Sequence, residues 1–384
     1  MMKVLLVGEY SGVHTQLAKS LRKKGIEVLF VSDGDAYKKF PNDINIEYKF
    51  YTGKRLLLKR FLNFYYIFLL YSGLQGIIQI FKYISQIRKL KNYDVVQIIN
   101  PVALSGFGSI VNILFIKYLA KYNKSLFLCA LGDDYYWVKG SMLNKRQVSM
   151  FSIIKLKYIY EYIHPLMYRY GFLYKFLNNY AISKSKKIIP GLYDYYVYYR
   201  NNHKCTDIVP IIVDIKHDVL PFKFEKYPIK IFHGWQPKKE ARKGNDLFDE
   251  ALKRLSEKYP DKIDYEILGG VDYNTYIQSF NKAVIFLDQC YSMDRGVNAL
   301  LGMANGKVVL SGFVKALEKK YNTQFDPVVV HVNPNVNEIF NMLEELILNP
   351  KQLEIISKNS IDFIGRYHSE EFVLKKYFKI WQEK

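Results

Sequence analysis

The chain has 384 residues, 49% hydrophobic and 24% charged, a composition typical of globular proteins and a length that favours two domains. Its 56 Lys and Arg against 36 acidic residues give a net charge of +20, which favours anionic partners such as phosphates or an anionic membrane surface. The three cysteines are dispersed, which excludes a disulfide scaffold and a Cys-x-x-Cys zinc site. The opening residues enter a strand-like run directly, so we expect a cytoplasmic protein without a signal peptide.

The first half of the chain alternates short apolar runs with segments of helical length. A strand at 3–8 leads through a glycine-containing loop into a helix that ends near Gly25, and a second strand follows at 27–32. Further strands are predicted at 94–99, 125–131 and 186–191. This alternation predicts an open parallel sheet with helices on both faces, which binds ligands at the carboxyl ends of its strands.

The second half repeats this pattern after a segment with several prolines at 208–228, which suits a linker. Five more apolar runs are predicted to be strands: 229–234, 265–270, 283–288, 307–312 and 327–332. The predicted fold class is therefore α/β, with two Rossmann-like doubly wound domains. The predicted boundaries are a first domain at 1–207, a second at 229–365 and a C-terminal helix at 366–384.

A basic cluster lies between a strand and a helix in the segment 233–248, HGWQPKKEARKGNDLF. At the start of a helix, Lys243 and Gly244 would offer an ammonium group, free backbone N–H groups and the positive helix end to a diphosphate. Arg242 would add a planar guanidinium that can bind phosphate with two hydrogen bonds. The alternative is a basic loop that is simply solvated.

The chain resembles the GT-B superfamily of nucleotide-sugar glycosyltransferases in three features. These are two tandem sheets, a glycine loop after the first strand, and a basic loop before the first helix of the second domain. The resemblance covers nearly the whole chain. Its most specific parts are the segments 233–252, 267–289 and 295–312, in the order in which such enzymes place donor phosphate, base and ribose contacts. The segment 365–382 also resembles the closing helices of that fold, the last of which usually crosses back to the first domain. The resemblance implies a cleft between the domains, a nucleotide-diphosphate sugar as donor, and an acceptor that enters by the first domain.

The resemblance also implies which residues meet the donor. In the second domain these residues follow strands or begin helices: His233, Gly234, Arg242, Lys243, Gly244, Gly269, Gly270, Asp288, Gln289, Arg295, Gly296 and Asn298. In the first domain, Gly12 and His14 are expected in a flexible loop against the donor phosphates, with a tight turn as the alternative. The alternatives in the second domain are a plain turn at 269–270, a capping role for 288–289 and a packed helix after Arg295.

The sequence departs from the family at one pair of positions. Many retaining members carry two glutamates separated by seven residues, and the matching positions here are Met293 and Leu301. Neither side chain can carry charge, which disfavours a retaining mechanism and, more weakly, catalysis. Asp288 and Gln289, at the end of a predicted strand, are candidates to take over contacts with sugar hydroxyls.

The candidate catalytic carboxylates follow the strand at 125–131. Asp133 and Asp134 would lie at its carboxyl end, where a carboxylate can accept the proton of an acceptor hydroxyl. Asp133 is the preferred base, and an acidic helix cap is the alternative. The seven histidines form no metal-binding motif, so we expect no metal and no cofactor besides the donor substrate.

A rival interpretation is an NAD(P)-dependent enzyme, because Asp33 and Asp35 follow the second predicted strand. The loop after the first strand reads VGEYSGVH and lacks the GxGxxG fingerprint of such enzymes, which disfavours this rival. A non-catalytic, glycosyltransferase-like interaction protein bound to the membrane is a further alternative.

Positive charge and aromatic residues are concentrated in two stretches of the first half. Residues 54–93 contain eight basic and no acidic residues, and residues 138–187 contain ten basic residues with Glu161 as the sole acid. This pattern is typical of helices that lie in the headgroup region of an anionic membrane. One transmembrane span over 61–81 and ordinary core helices are the alternatives. We expect no nucleic-acid partner, since no recognition motif accompanies the charge.

These patterns together predict a cytoplasmic glycosyltransferase, peripheral on the inner face of the membrane. It would transfer a sugar from a nucleotide-diphosphate sugar to a lipid-linked or polysaccharide acceptor during synthesis of a cell-envelope glycan, such as capsule, O-antigen or exopolysaccharide.

Overall fold

A computed structural model describes residues 2–35, 38–50, 56–144, 148–215, 218–235 and 239–383 of the chain, with the side chains of 56–61, 241 and 273 not described. Within these residues the chain forms two parallel β-sheets, one of six strands and one of five. Helices cover both sheets. This arrangement confirms the predicted fold class of two Rossmann-like domains.

The first domain is built on the six-stranded sheet. Its strands are β1 (Lys3–Val7), β2 (Glu27–Ser32), β3 (Ile44–Asn45), β4 (Val95–Ile98), β5 (Leu126–Ala130) and β6 (Ser185–Pro190). Its helices are α1 (Val13–Lys23), α2 (Leu56–Tyr71), α3 (Ile84–Ile87), α4 (Gly108–Tyr122), α5 (Tyr135–Leu143), α6 (Ile159–Tyr170), α7 (Tyr174–Lys184) and α8 (Tyr193–Tyr199), with 3-10 helices at Gln79–Tyr83 and Leu156–Tyr158. The strand order is β3-β2-β1-β4-β5-β6, and every residue of β4 and β5 is buried because helices cover both faces.

The second domain is built on the five-stranded sheet. Its strands are β7 (Ile229–Trp235), β8 (Ile263–Gly269), β9 (Ile285–Leu287), β10 (Val308–Ser311) and β11 (Val330–His331). Its helices are α9 (Glu240–Lys243), α10 (Asn245–Lys258), α11 (Tyr273–Lys282), α12 (Val297–Ala304), α13 (Lys315–Tyr321), α14 (Val336–Leu348) and α15 (Pro350–Tyr367). The order β11-β10-β9-β7-β8 places β7 and β9 side by side, so the residues that follow these two strands meet at one edge of the sheet.

The last helix, α16 (Glu370–Gln382), packs on the first domain, as the sequence predicted. Its buried face, which includes Val373, Leu374 and Trp381, joins a core cluster with residues of β1 and α1. The Trp381 indole also donates a hydrogen bond to Gln97 Oε1 in β4, at 3.3 Å. The final helix therefore ties the two domains together.

The connection between the domains is packed against the protein along its first residues. Val209 N–H donates to the Pro190 carbonyl at the end of β6, and Val213 N–H donates to the His368 carbonyl before α16. Residues 208–213 are buried. This part of the predicted linker thus positions the domains and is not a free tether.

The alternative of a single transmembrane span over 61–81 is wrong. Helix α2 ends at Tyr71, and a turn separates it from the 3-10 helix that begins at Gln79. Among the helices described above, none combines the length and the apolar character that crossing a bilayer requires. The short strand β3 was missed by the sequence analysis because its two residues carry no periodic signal.

Candidate active site

A buried ion pair lies at the carboxyl edge of the second sheet. Lys243 ends α9 and Asp288 directly follows β9, and Lys243 Nζ lies 2.6 Å from Asp288 Oδ1. The two side chains are only 9% and 1% exposed. The alternative of a solvated basic loop is therefore wrong for Lys243, which is a fixed cation inside the domain.

The start of α10 lies beside this pair. Gly244 lies between α9 and α10, with a φ of +75°, and a Cβ at this position would lie 2.2 Å from Cys290 Sγ. Asn245, the first residue of α10, is completely buried, and neither polar atom of its amide makes a hydrogen bond of normal geometry among the described residues, although the His233 ring lies beside it. The positive helix end thus coincides with a buried amide that has unused hydrogen-bonding capacity.

His233 in β7 adds a further buried polar side chain. Its Nδ1 lies 2.9 Å from the Leu287 carbonyl, whereas its Nε2 makes no hydrogen bond of normal geometry in the described part of the chain and lies beside the Asn245 amide. Burial lowers the pKa of His233 to about 4, so the ring is neutral at physiological pH. With Nδ1–H donating to the carbonyl, Nε2 is a hydrogen-bond acceptor. Lys243, Asp288 and Asn245 are its polar neighbours.

Helix α12 begins at the same place. Gly296 is its N-cap, and a Cβ on Gly296 would lie 3.4 Å from Asp288 Oδ2, an oxygen for which the described residues offer no hydrogen bond. Asn298, in the first turn, is exposed. The N-termini of α10 and α12 therefore converge on Lys243, Asp288 and His233, so two positive helix ends and one ammonium group lie around a single carboxylate.

The two domains meet through Arg242 and Asp133. The Arg242 guanidinium donates two hydrogen bonds to the Asp133 carboxylate, from Nη1 to Oδ2 at 2.8 Å and from Nη2 to Oδ1. It also stacks over the Trp137 ring at 4.8 Å. From the sequence, Arg242 was expected to bind the donor phosphate and Asp133 to accept a proton, and the structure joins the two residues in one bidentate pair.

Asp134 has a structural role, so its proposed role as a catalytic base is contradicted. It is the N-cap of α5, where Oδ1 accepts from Trp137 N–H at 2.8 Å and Oδ2 accepts from the Tyr199 hydroxyl at 2.6 Å. The residue is 1% exposed, and burial raises the pKa of its carboxyl group to about 6. The helix-cap alternative is correct for Asp134.

The first-domain loop does not present His14 to a ligand. His14 is fully buried, with Nδ1 2.8 Å from the Gly8 carbonyl and Nε2 3.2 Å from Gln97 Nε2. Burial lowers its pKa to about 4. Gly12 is the left-handed N-cap of α1, and a Cβ there would lie 3.1 Å from the Phe40 ring. The prediction that His14 contacts the donor is wrong because the loop forms a tight turn that directs this side chain into the core.

Arg295 is also buried, so its predicted donor contact is wrong. Only 2% of the residue is exposed, and its guanidinium lies over the rings of Phe313 and Phe363 at 4.5 and 4.8 Å. Its Nε donates to Asp294 Oδ1 at 3.0 Å. The aromatic neighbours and this carboxylate hold the cation inside the second domain, which no local sequence pattern indicated.

The remaining predicted residues of the second domain lie around the same sheet edge. A Cβ on Gly234 would lie 2.5 Å from the Tyr276 ring, so this glycine allows a close approach of α11 to β7. Gln289 is partly buried, and its Nε2 donates to the Asp294 carbonyl at 3.3 Å. Both glycines of the pair 269–270, at the end of β8, are exposed. Contacts of these residues with a nucleotide base or ribose stay predictions.

Two residues of the site were missed by the sequence analysis. Asn245 follows the Lys-Gly pair directly, and its place as the first residue of a helix was a signal that could have indicated it. Trp137, which stacks on Arg242, lies three positions after Asp134 and had no local signal, because its partner belongs to the other domain.

Comparisons with protein-family models and with curated proteins give no match for this sequence. Solved structures do resemble it over nearly their whole length. HepE from Anabaena, solved in complex with UDP and glucose, is 10% identical, with a TM-score of 0.57 and 99% of each chain covered. The lipopolysaccharide outer core galactosyltransferase WaaB is 13% identical, with a TM-score of 0.52 and 99% of each chain covered. A putative UDP-N-acetylglucosamine 2-epimerase from Listeria monocytogenes is 10% identical, with a TM-score of 0.50 over 98% of this chain and 94% of that one.

At these identities the likeness shows the fold. The chain has the two-domain GT-B fold, as the sequence predicted, and this fold is shared by a protein named a galactosyltransferase and by one named a putative epimerase. The fold therefore leaves the activity open, and the activity depends on the residues of the site.

Proposed function

We propose that this protein is a glycosyltransferase that moves a sugar from a nucleotide-diphosphate sugar to a lipid-linked or polysaccharide acceptor. The observation that carries the proposal is the convergence of Lys243, the N-termini of α10 and α12, and the buried polar side chains of His233 and Asn245 at one sheet edge. The GT-B fold supports it, since HepE with this fold was solved with UDP and glucose.

The donor diphosphate would bind at this convergence. Lys243 supplies a fixed positive charge, and the first turns of α10 and α12 supply backbone N–H groups that lack intrahelical partners. Nε2 of His233 and the Asn245 amide offer hydrogen bonds to the hydroxyl and phosphate oxygens of a nucleotide sugar. We keep the prediction that these groups bind the donor without a metal ion or another cofactor.

Asp133 is the proposed proton acceptor. A donor phosphate would compete with Asp133 for Arg242, and displacement of the carboxylate would release a base beside the donor. Asp133 would then take the proton of the acceptor hydroxyl as the acceptor oxygen bonds to the sugar carbon and the nucleoside diphosphate leaves. This assignment suits a site in which Met293 and Leu301 replace the usual glutamates.

The acceptor and the membrane would both bind at the surface of the first domain. Several aromatic side chains of this domain expose more than half of their surface: Phe64, Phe68, Phe81, Phe172 and Phe176. They lie on or beside α2, α7 and the 3-10 helix at Gln79–Tyr83, in the stretches that carry the basic surplus, which supports docking to an anionic membrane on its cytoplasmic side. The name of WaaB is that of a lipopolysaccharide enzyme, which supports a role in cell-envelope glycan synthesis.

The NAD(P) rival is less well supported. Such enzymes bind the pyrophosphate on a GxGxxG loop after β1, and here that loop reads VGEYSGVH with His14 buried beneath it. A non-catalytic protein of the same fold is the other alternative, and the nucleotide panel described next distinguishes it from a transferase.

A panel of nucleotides should distinguish these functions. A ligand that binds only the folded state raises its thermal stability, so UDP or GDP is expected to raise the melting temperature, whereas CMP and NAD are expected to leave it unchanged. The same samples should release nucleoside diphosphate from the matching sugar nucleotide when an acceptor is added. A response to NAD alone would support the rival, and no response to any nucleotide would contradict the proposed function.

Membrane docking is tested by removing positive charge before and within α2. The side chains of Lys54, Arg55, Lys59 and Arg60 lie outside the described part of the chain, and the sequence analysis expects them at lipid headgroups. Replacing all four with Gln should strongly reduce sedimentation with anionic liposomes at low salt, because each cation near the surface contributes about 1 kcal/mol. At about 1 M salt, where the Debye length is about 3 Å, the parent should lose most of this advantage.

The matched control removes the same number of charges from the second domain. Lys253, Lys282, Lys351 and Lys358 are exposed there, and their replacement by Gln should leave liposome binding intact. Equal losses in both variants would mean that net charge alone attracts the protein, and no binding by the parent would contradict peripheral attachment.

A further inference from the structure

One short segment of the first domain, residues 153–161, joins an apolar surface to the candidate active site. Five of its side chains are large, apolar and exposed: Ile153, Ile154, Leu156, Ile159 and Tyr160. Leu156 is 82% exposed and Tyr160 is 79% exposed. Such a density of exposed apolar groups is unusual for a surface in contact only with water.

The other side of this segment contacts the loop that holds Lys243. Lys155 Nζ lies 2.6 Å from Asp246 Oδ2, in the first turn of α10. Glu161 Oε1 accepts a hydrogen bond from Glu240 N–H, at the start of α9, at 3.1 Å. The segment therefore contacts the second domain on both sides of Arg242 and Lys243.

The segment is also fastened to its own domain. The Tyr162 hydroxyl donates towards the Met150 carbonyl at 3.1 Å and the Ile153 carbonyl at 3.3 Å. These contacts hold the chain before α6 against the start of that helix. Binding of a partner to the exposed apolar side chains would therefore affect the contacts of this segment with α9 and α10.

Charge favours a lipid bilayer as the occupant of this surface. Lys157 is exposed among the apolar side chains. The surrounding stretch 138–187 has ten basic residues and one acid, Glu161, which already accepts a hydrogen bond from Glu240. Apolar side chains interleaved with cations match the boundary between the headgroups and acyl chains of anionic lipids.

We propose that residues 153–161 insert into the surface of an anionic membrane and couple this insertion to nucleotide binding at the Lys243 site, an inference that rests on the proposed function. Insertion buries side chains that the observed conformation exposes, so it stabilises that conformation. In the same conformation Lys155 and Glu161 fix α9 and the start of α10. The membrane and the nucleotide therefore favour one state, and each tightens the binding of the other.

The experiment measures the affinity for UDP by calorimetry in the presence of two kinds of vesicle. Vesicles of phosphatidylglycerol and phosphatidylcholine should tighten UDP binding to the parent by about fivefold or more, and vesicles of phosphatidylcholine alone should have little effect. Leu156→Asn combined with Tyr160→Asn should keep the parent's affinity without vesicles and lose the tightening. Both side chains are exposed, so this variant is expected to fold.

Two further variants separate docking from coupling. Phe325→Asn, at a side chain 94% exposed in the second domain, should retain the tightening as a matched control. Lys155→Gln should still sediment with anionic vesicles but show a smaller tightening, because its contact with Asp246 is lost.

Failure of the coupling and failure of the proposed function would give different results. UDP binding that is unchanged by vesicles to which the parent sediments would overturn the coupling and leave the proposed function standing. No binding of UDP or GDP, with or without vesicles, would overturn the proposed function, and the coupling with it. If the Leu156→Asn, Tyr160→Asn variant sediments like the parent, or if the parent does not sediment, the segment does not insert and its surface faces another partner.

Discussion

Lys243→Met is expected to lower the free energy of unfolding by about 3–5 kcal/mol, because it leaves the Asp288 carboxylate buried without its cation. The same change should abolish binding of a nucleoside diphosphate, since the fixed charge at the start of α10 is lost. From the sequence alone, the Lys243 ammonium group was expected to be open to a diphosphate at the start of a helix. The buried pair changes this expectation, and urea unfolding together with calorimetry of UDP binding measures both effects.

The double variant Lys243→Met, Asp288→Asn separates stability from binding. Removing both charges should restore much of the stability, because an uncompensated buried charge is the main cost. It should not restore nucleotide binding. Lys258→Met is the control: its pair with Glu344 lies at the surface, and its loss should hardly change the unfolding midpoint. Nucleotide affinity that survives in both Lys243 variants would remove this site from the proposal.

Asp133→Asn is expected to lower turnover by about 10²–10⁴-fold, the usual range for loss of a general base. The amide keeps the size of the side chain but cannot accept the proton of an acceptor hydroxyl. Nucleotide affinity should be retained or improved, because a neutral amide competes less well than a carboxylate for Arg242. Single-turnover rates and UDP affinity, measured on the same preparation, test the two statements separately.

Asp134→Ala provides the comparison. It removes the cap of α5 and the acceptor of the Tyr199 hydroxyl, so it should cost about 0.5–2 kcal/mol of stability from the cap alone. Turnover per folded molecule should be nearly unchanged. If Asp134→Ala lost turnover at normal stability while Asp133→Asn kept it, the base would be wrongly assigned.

The sequence by itself determined most strands of the two sheets and the start of α10. Strands such as β4 and β5 are continuous apolar runs, and a parallel sheet covered on both faces requires such runs. The Lys-Gly pair before α10 could also be predicted, because a helix start depends on residues that are neighbours in the chain. These features have local causes, so local patterns predict them.

Only the tertiary structure decided which charged side chains are free to meet a ligand. Lys243 is fixed in an ion pair with Asp288, 45 positions away, and Arg242 is held by Asp133, 109 positions away in the other domain. Arg295 and His14 were expected to contact the donor, yet packing against distant aromatic rings and strands buries both. Burial and ion pairing depend on which helices and strands pack against each other. The spacing of residues along the chain does not predict these tertiary contacts.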